Sequence, residues 1–297
     1  MTCIKNDLEA VKSFFKEKIP GYSSSEINIM VKFLTIKRLN INESDYLIQQ
    51  PFLFSESDLL FFRDAVKRMQ KNEPFQHVLG EVEFYGLLLN SDKRALIPRP
   101  ETEELVDWIV NSFDRTEELK IADLCSGSGC IALVLKSIFV ESEVNAIELS
   151  EDAIELIQEN CKKTELQLII DEADVLAEDA FSQFQKNSFD CWVSNPPYIP
   201  NKDKETMHEN VLDFEPDMAL FVEDDDVLIF YERITKQANL FLKPNGLLFF
   251  EIHEDLAEET VSILKSHNFV NIELRKDLQG KDRMIKAQKL SSQNESE

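Results

Sequence analysis

The chain has 297 residues, 43% of them hydrophobic, which suits one large domain plus a smaller one and supplies enough apolar surface for a proper core. Its 32 lysines and arginines stand against 56 acids, a formal charge of −24. So acidic a chain is repelled by phosphate backbones unless its basic residues cluster, and the clusters present (Arg94 with Arg99; Lys276, Lys281, Arg283 and Lys286) read as solvated faces.

In chain order, the N-terminal stretch MTCIKNDLEAVKSFFKEK mixes charges through its apolar residues and has no signal-peptide core. Residues 4–70 predict a small helical bundle. DLEAVKSFFKEKI, SSSEINIMVKFLTIKRL and SESDLLFFRDAVKRMQ carry apolar residues at three- and four-residue steps, with a serine cap on the second and Ser55 or Ser57 on the third. Residues 80–97 break that period: two β-rich runs flank the turn-like NSDK, which predicts a hairpin. Pro98 and Pro100 mark a boundary, after which Glu101 or Thr102 opens a helix. From 119 on, short apolar runs (120–125, 143–149, 166–170, 189–194 and 246–253) alternate with helical stretches (129–139, 151–163, 226–242 and 254–267). That alternation predicts an α/β fold with a parallel, doubly wound sheet. FVNIELRKD and RMIKAQKL then predict an antiparallel pair at the sheet edge. The expected division is a helical domain at 1–75, a hairpin linker at 76–100, the α/β domain at 101–290 and a disordered tail at 291–297. Five scattered cysteines, Cys3, Cys125, Cys130, Cys161 and Cys191, form no CxxC pair. Free thiols in a reducing compartment, with no metal, are expected. No apolar run is long enough to span a membrane, so a cytoplasmic chain without a membrane partner is expected.

Two stretches carry chemistry. IADLCSGSGCIALVL reads as strand, small-residue loop and helix, and two of the chain's seven glycines, Gly127 and Gly129, fall in it. They let a ligand approach the backbone at a helix N-terminus. About 20 residues after the loop, Glu148 ends the next strand, where an acid accepts from both ribose hydroxyls. Gly127-x-Gly129-x-x-Ala132 also satisfies the dinucleotide fingerprint, so a dehydrogenase stays open at this point. Asp123 speaks against a pyrophosphate and for the ammonium group of S-adenosylmethionine. Asp174, after the third strand, is placed to accept from an adenine amino group, with Val175 packing on the ring.

The second stretch is FDCWVSNPPYIP, a buried strand ending in a rigid corner. A fourth strand of a doubly wound sheet ends beside the first, so Asn195 is expected to face the ligand of Gly127. The Asn195 amide oxygen and the Pro196 carbonyl can accept both hydrogens of one NH2 group, and proline offers no competing N–H. Held so, the nitrogen lone pair aims at a methyl sulfonium, while Tyr198 stacks on a planar amide or base.

The stretches EPFQHVLGEVEFYG, LIPRPETEELV, DLCSGSGCIAL, VSNPPYIP and FEPDMAL together resemble the HemK/PrmC family of S-adenosylmethionine-dependent methyltransferases, from about residue 5 to 290. The Asn-Pro-Pro-Tyr corner is shared with adenine-amino methyltransferases, whereas IPRPETE and FEPxxAL are particular to the family. The resemblance implies a helical N-terminal domain that docks the substrate, a hairpin linker and a seven-stranded, Rossmann-like class I methyltransferase sheet, mostly parallel with an antiparallel edge strand. It implies methylation of the glutamine side chain in the Gly-Gly-Gln loop of peptide chain release factors, with no direct nucleic acid partner. By position, Asn195 and Tyr198 would be catalytic, and Asn195, Pro196, Pro197 and Tyr198 would bind the substrate. Asp123, Cys125, Ser126, Gly127, Ser128, Gly129, Glu148, Asp174, Val175 and Asn195 would bind S-adenosylmethionine, and IPRPETE would line the cleft near the transferred methyl.

Two departures from the family pattern stand out. Cys125 stands where the family loop has its first glycine, a strained choice if the position needs positive φ. FVEDDDVLIF replaces a glycine-containing segment with an acidic run. The competing readings are an adenine-amino methyltransferase on DNA or RNA, and a degenerate methyltransferase fold that only binds.

Overall fold

The structure is a computed structural model that describes residues 6–49, 51–207 and 209–291. Cys3 and most of the expected tail, 292–297, lie outside the described residues. The chain divides into two compact units, one built on the residues up to Glu81 and one on the remainder apart from a short excursion near 210.

The first unit contains α1 (Leu8–Lys18), α2 (Ser24–Leu39), α3 (Glu43–Ile48), α4 (Glu56–Met69) and α5 (Phe75–Leu79). The cap residues set where its helices start. The Asp7 side chain accepts from Ala10 N, and Ser23 with Glu26 and Ser55 with Asp58 form reciprocal capping boxes. Of the two serines proposed for α4, Ser55 is therefore the cap. Phe15, Val31, Leu34 and Phe62 fill the middle of this unit. The short helices α3 and α5 escape a periodicity argument, because 6 and 5 residues show less than two turns.

The hairpin, β1 (Glu81–Phe84) with β2 (Leu87–Asn90), turns at Tyr85–Gly86 and not at NSDK. Both turn residues have positive φ, 47° and 83°. A two-residue loop of that kind matches the twist of the flanking strands. The next helix, α6 (Pro100–Val110), opens one residue before the expected start: Pro100 takes the first helical position, where its missing N–H costs nothing, and Arg99 is the cap residue.

The remaining elements of the second unit are β3 (Lys120–Leu124), α7 (Cys130–Ile138), β4 (Glu143–Glu148), α8 (Glu151–Thr164), β5 (Ile169–Glu172), β6 (Phe189–Ser194) and β7 (Ile199–Pro200). After the turn of helix α9 (Glu209–Leu212), which clusters with the first unit, come α10 (Asp217–Leu220), β8 (Phe221–Val222), α11 (Ile229–Phe241), β9 (Leu242–Glu251), α12 (Ala257–Ser266), β10 (Phe269–Lys276) and β11 (Asp282–Lys289). Seven strands form one sheet in the order β10-β11-β9-β6-β3-β4-β5. β5, β4, β3, β6 and β9 run parallel; β11 is antiparallel to both β9 and β10. The expected edge pair is present, and the strand that runs against the sheet is its inner member.

The period-2 alternation of the strands sends Ile121, Val193 and Phe249 to one face, under α6 and α7, and Ala122, Trp192 and Phe250 to the other, under α11 and α12. Burial on both faces explains why these strands read as continuous apolar runs. The chain leaves β3 toward β4 and β5 on one side and returns to β6 on the other. The strand order thus reverses between β3 and β6, which is where open α/β sheets place their ligands.

Candidate active site

Strand register assembles the site. Leu124 pairs with Ile147 on one side and Ser194 on the other, and Ser194 pairs with Phe250. The next residue on each strand is therefore Glu148, Cys125, Asn195 and Glu251, a row across four adjacent strand ends. A cavity of about 330 Å³ opens there, within the range of small-molecule sites. Its lining includes Cys125, Ser126, Gly127, Ser128, Glu148, Asp174, Val175, Asn195 and Pro197, so nine of the thirteen residues singled out in the sequence meet in one cavity.

The other four lie beside or beneath it. Gly129 caps α7, with φ 78°, and a side chain there would be strained in the backbone and would stand 3.1 Å from Ile157 on α8, so glycine is favoured on two counts. Pro196 and Tyr198 line a small neighbouring hollow that Asn195 also reaches. The Tyr198 ring does not face the larger cavity: its hydroxyl donates to Glu251 Oε1 (3.2 Å) and its edge meets His253. Asp123 is fully buried below the loop. Its Oδ2 accepts from Ser126 Oγ (2.6 Å) and Ala132 N (3.2 Å), binding the loop to the first turn of α7, while Oδ1 has no hydrogen-bond partner among the described residues.

Burial drives the Asp123 carboxyl up to about 7, and nearby Glu148 adds to the rise. Because the folded-state value is raised, the contribution of this group to stability is fully present below pH about 4 and is lost as pH rises to about 7. Asp123→Asn keeps an oxygen for Ser126 and Ala132 but cannot ionise. Relative to that variant, the parent protein is expected to lose up to about 1.4 kcal/mol per pH unit across this window and to level off above it. Urea unfolding at a series of pH values measures this, and a constant difference would show that Asp123 does not titrate there.

Glu148 is the hub of the loop. Its Oε2 accepts from Gly127 N (2.8 Å), and its Oε1 accepts from Leu149 N and Ser150 N (2.9 Å each). Three of the roughly four acceptor directions of a carboxylate are thus in use, which leaves about one for a ligand hydroxyl in this arrangement. That falls short of the pair of ribose bonds expected from the sequence. Asp174 Oδ1 accepts from Leu176 N (2.9 Å), closing a tight turn at the cavity wall.

Cys125 settles the question its position raised. Its φ is +58°, so the position needs the left-handed conformation that glycine adopts freely. Cys125→Gly is expected to raise stability by roughly 0.5–1 kcal/mol, after the greater freedom of unfolded glycine is subtracted. Denaturant unfolding checks this; a loss of stability would mean that the side chain's packing outweighs the strain. Burial pushes the Cys125 thiol well up, and Cys130, also on the cavity wall, up to about 12, so neither is a thiolate near neutral pH.

Three further residues matter that the sequence reading did not place, Glu251, Glu215 and Asn160, and with them Thr102 of the IPRPETE stretch, which lines the cavity. Glu251 Oε2 accepts from Thr102 Oγ1 (2.7 Å), and Thr102 Oγ1 in turn accepts from Asn195 Nδ2 (3.4 Å). Glu215 accepts from Ile97 N (3.0 Å) and from Arg99 (2.6 Å), tying FEPDMAL to IPRPETE. Asn160 accepts from Asn90 N (2.7 Å) and donates to Ser128 O (3.0 Å), which braces the glycine loop against the hairpin. Glu251 ends an apolar strand just as Glu148 does, a signal open to sequence reasoning.

A family model for the methyltransferase small domain matches residues 105–213. A solved methyltransferase from Pyrococcus furiosus is similar in fold, with TM-score 0.51 at 14% identity, covering 70% of this chain and 91% of that one. The release factor glutamine methyltransferase of Flavobacterium psychrophilum is 39% identical over 94% of this chain and 95% of its own length. The chain belongs to the release factor glutamine methyltransferase family. The relative of the same name from Bacteroides thetaiotaomicron is 34% identical over 90% of this chain and 94% of its own. In this member of the release factor glutamine methyltransferase family, the loop carries cysteine at a positive-φ position. The acidic run after β8 forms an exposed turn whose Asp224 accepts from Lys202 N (2.8 Å). The flanking β7 and β8 pair with each other just beyond the Asn195 corner. The substituted segment therefore keeps a structural role while adding surface charge.

Proposed function

We propose that this protein methylates the side-chain amide nitrogen of the glutamine in the Gly-Gly-Gln loop of peptide chain release factors, using S-adenosylmethionine. The observation that carries the reading is the row Glu148, Cys125, Asn195 and Glu251, which sets an amide acceptor beside a glycine-loop cavity at the switch point of the sheet.

The residues present suit the cofactor. Gly127, Ser128 and the neighbouring backbone would hold its methionine end, Glu148 its ribose through the remaining acceptor direction, and Asp174 with Val175 its adenine. Buried Asp123 contributes through shape: its Oδ2 ties Ser126 to the first turn of α7 and so holds the loop against which the cofactor would lie. When bound, S-adenosylmethionine supplies an electrophilic methyl group on a sulfonium.

The rest is orientation by this chain's own groups. Asn195 Oδ1 and the Pro196 carbonyl would accept the two hydrogens of the glutamine amide, leaving its nitrogen lone pair free to point at the methyl carbon. An amide nitrogen is a poor nucleophile, so alignment and charge placement supply most of the acceleration. The hydrogen bond Tyr198 makes to Glu251 stiffens the corner just beyond Asn195.

The predicted basic clusters fit a protein substrate better than a phosphate backbone. Arg94 pairs with Asp92 and Glu159, and Arg99 with Glu215. Lys276, Lys281, Arg283 and Lys286 pair with Asp282, Glu254, Asp277 and Glu273. No helix of the described residues is long and apolar enough to cross a membrane. The test is incubation with methyl-labelled S-adenosylmethionine and a purified release factor, beside a Gln→Ala variant of its Gly-Gly-Gln loop. Label on the normal factor alone is expected; equal label on both would overturn the reading.

A further inference from the structure

The chain Glu251–Thr102–Asn195 has a direction. A carboxylate only accepts hydrogen bonds, and a threonine hydroxyl has one hydrogen to give. Glu251, 2% exposed, takes that hydrogen from Thr102 at 2.7 Å and takes the Tyr198 hydroxyl on its other oxygen. What Thr102 Oγ1 then offers Asn195 is a lone pair, so the side of the Asn195 amide that faces it is Nδ2, at 3.4 Å. Oδ1 is left for the opposite side.

We propose that Thr102, polarised by Glu251, is the positioning residue that fixes which way round the Asn195 amide sits and keeps its oxygen as the acceptor for the incoming NH2 group. The inference rests on the reading of Asn195 given above. With the amide reversed, Nδ2 would meet the substrate hydrogen meant for Oδ1 donor to donor. The two sides of an asparagine amide have nearly the same shape, so packing cannot choose between them; a directional hydrogen bond can. The pieces come from three distant parts of the chain: Thr102 from the first turn of α6, Glu251 from the end of β9 and Asn195 from the end of β6. Thr102 lines the cavity beside Asn195, whereas Glu251 lies behind it and acts through Thr102 and Tyr198.

Thr102→Val keeps the shape and removes the hydroxyl. Its kcat is expected to fall about tenfold, the effect of one directional hydrogen bond, with affinity for S-adenosylmethionine changed less than about twofold. Thr102→Ser restores the hydroxyl without the methyl and should keep kcat within about twofold to threefold of the parent. Thr102→Val also strips a partner from buried Glu251, so a double variant, Thr102→Val with Glu251→Gln, guards against loss of fold. It should regain thermal stability while kcat stays low. Unchanged kcat in Thr102→Val, equal losses in the Val and Ser variants, or recovery of kcat along with stability in the double variant would each overturn the proposal. Asn195→Ala run alongside separates the two levels. If it stays active, the reading of Asn195 itself fails; if it is inactive while Thr102→Val is not, only the positioning role fails.

Discussion

Asn195→Ala is expected to lower methyl transfer to a release factor by about 10²–10³-fold or more, the effect of deleting one preorganised polar group at a reacting centre. The side chain ends β6 at the mouth of the cavity, and the prolines behind it fix the backbone from which it projects. Alanine leaves that backbone in place and removes the acceptor. The loss should therefore fall on kcat. Affinity for S-adenosylmethionine, measured calorimetrically, should move only a few-fold, because Asn195 forms one part of a wall built mainly by the glycine loop, Glu148 and the 173–176 turn. A variant that transfers methyl groups normally would remove Asn195 from the mechanism.

Glu148→Ala is expected to be nearly as damaging by a different route. One buried carboxylate accepts three backbone N–H groups, from Gly127, Leu149 and Ser150, at 2.8–2.9 Å. Alanine leaves all three without their acceptor. Hydrogen bonds to a charged group contribute about 1.5–3 kcal/mol each, but water entering the space replaces part of that, so a net loss of roughly 3 kcal/mol in stability is reasonable. Cofactor affinity should fall by at least about tenfold, since the loop loses its shape and the cavity its acid. Thermal unfolding and titration with S-adenosylhomocysteine read the two effects separately. Stability lost with affinity intact would make Glu148 a loop brace alone.

The site was legible in the sequence where local chemistry marks it. Asn195 followed by two prolines, the glycines at 127 and 129, and the acid that ends β4 each stand out within a few residues of chain. The parts that were not legible depend on register. Thr102 and Glu251 are separated by 149 positions, and Asn160 and Asn90 by 70, so nothing local announces either pair. Asp123 was legible as the acid at the end of the strand before the loop but not as a buried one: its depth follows from the parallel pairing of β3 with strands on both sides. The hairpin was recognised but its turn misplaced, because NSDK has the usual turn residues while the real turn places a tyrosine at φ 47°. β5 begins three residues later than its apolar run suggests. Leu166 and Leu168 pack on the core ahead of the strand, and the strand itself, at the sheet edge, tolerates Asp171 and Glu172.

The most direct test of the account is a crystal structure of the protein with S-adenosylhomocysteine and a peptide carrying the Gly-Gly-Gln sequence. The account predicts the nucleoside between the glycine loop and the Asp174 turn. It predicts the glutamine amide nitrogen within hydrogen-bond distance of both Asn195 Oδ1 and the Pro196 carbonyl, with Asn195 Nδ2 still on Thr102. A glutamine side chain bound away from Asn195, or a nucleoside bound outside this cavity, would contradict it.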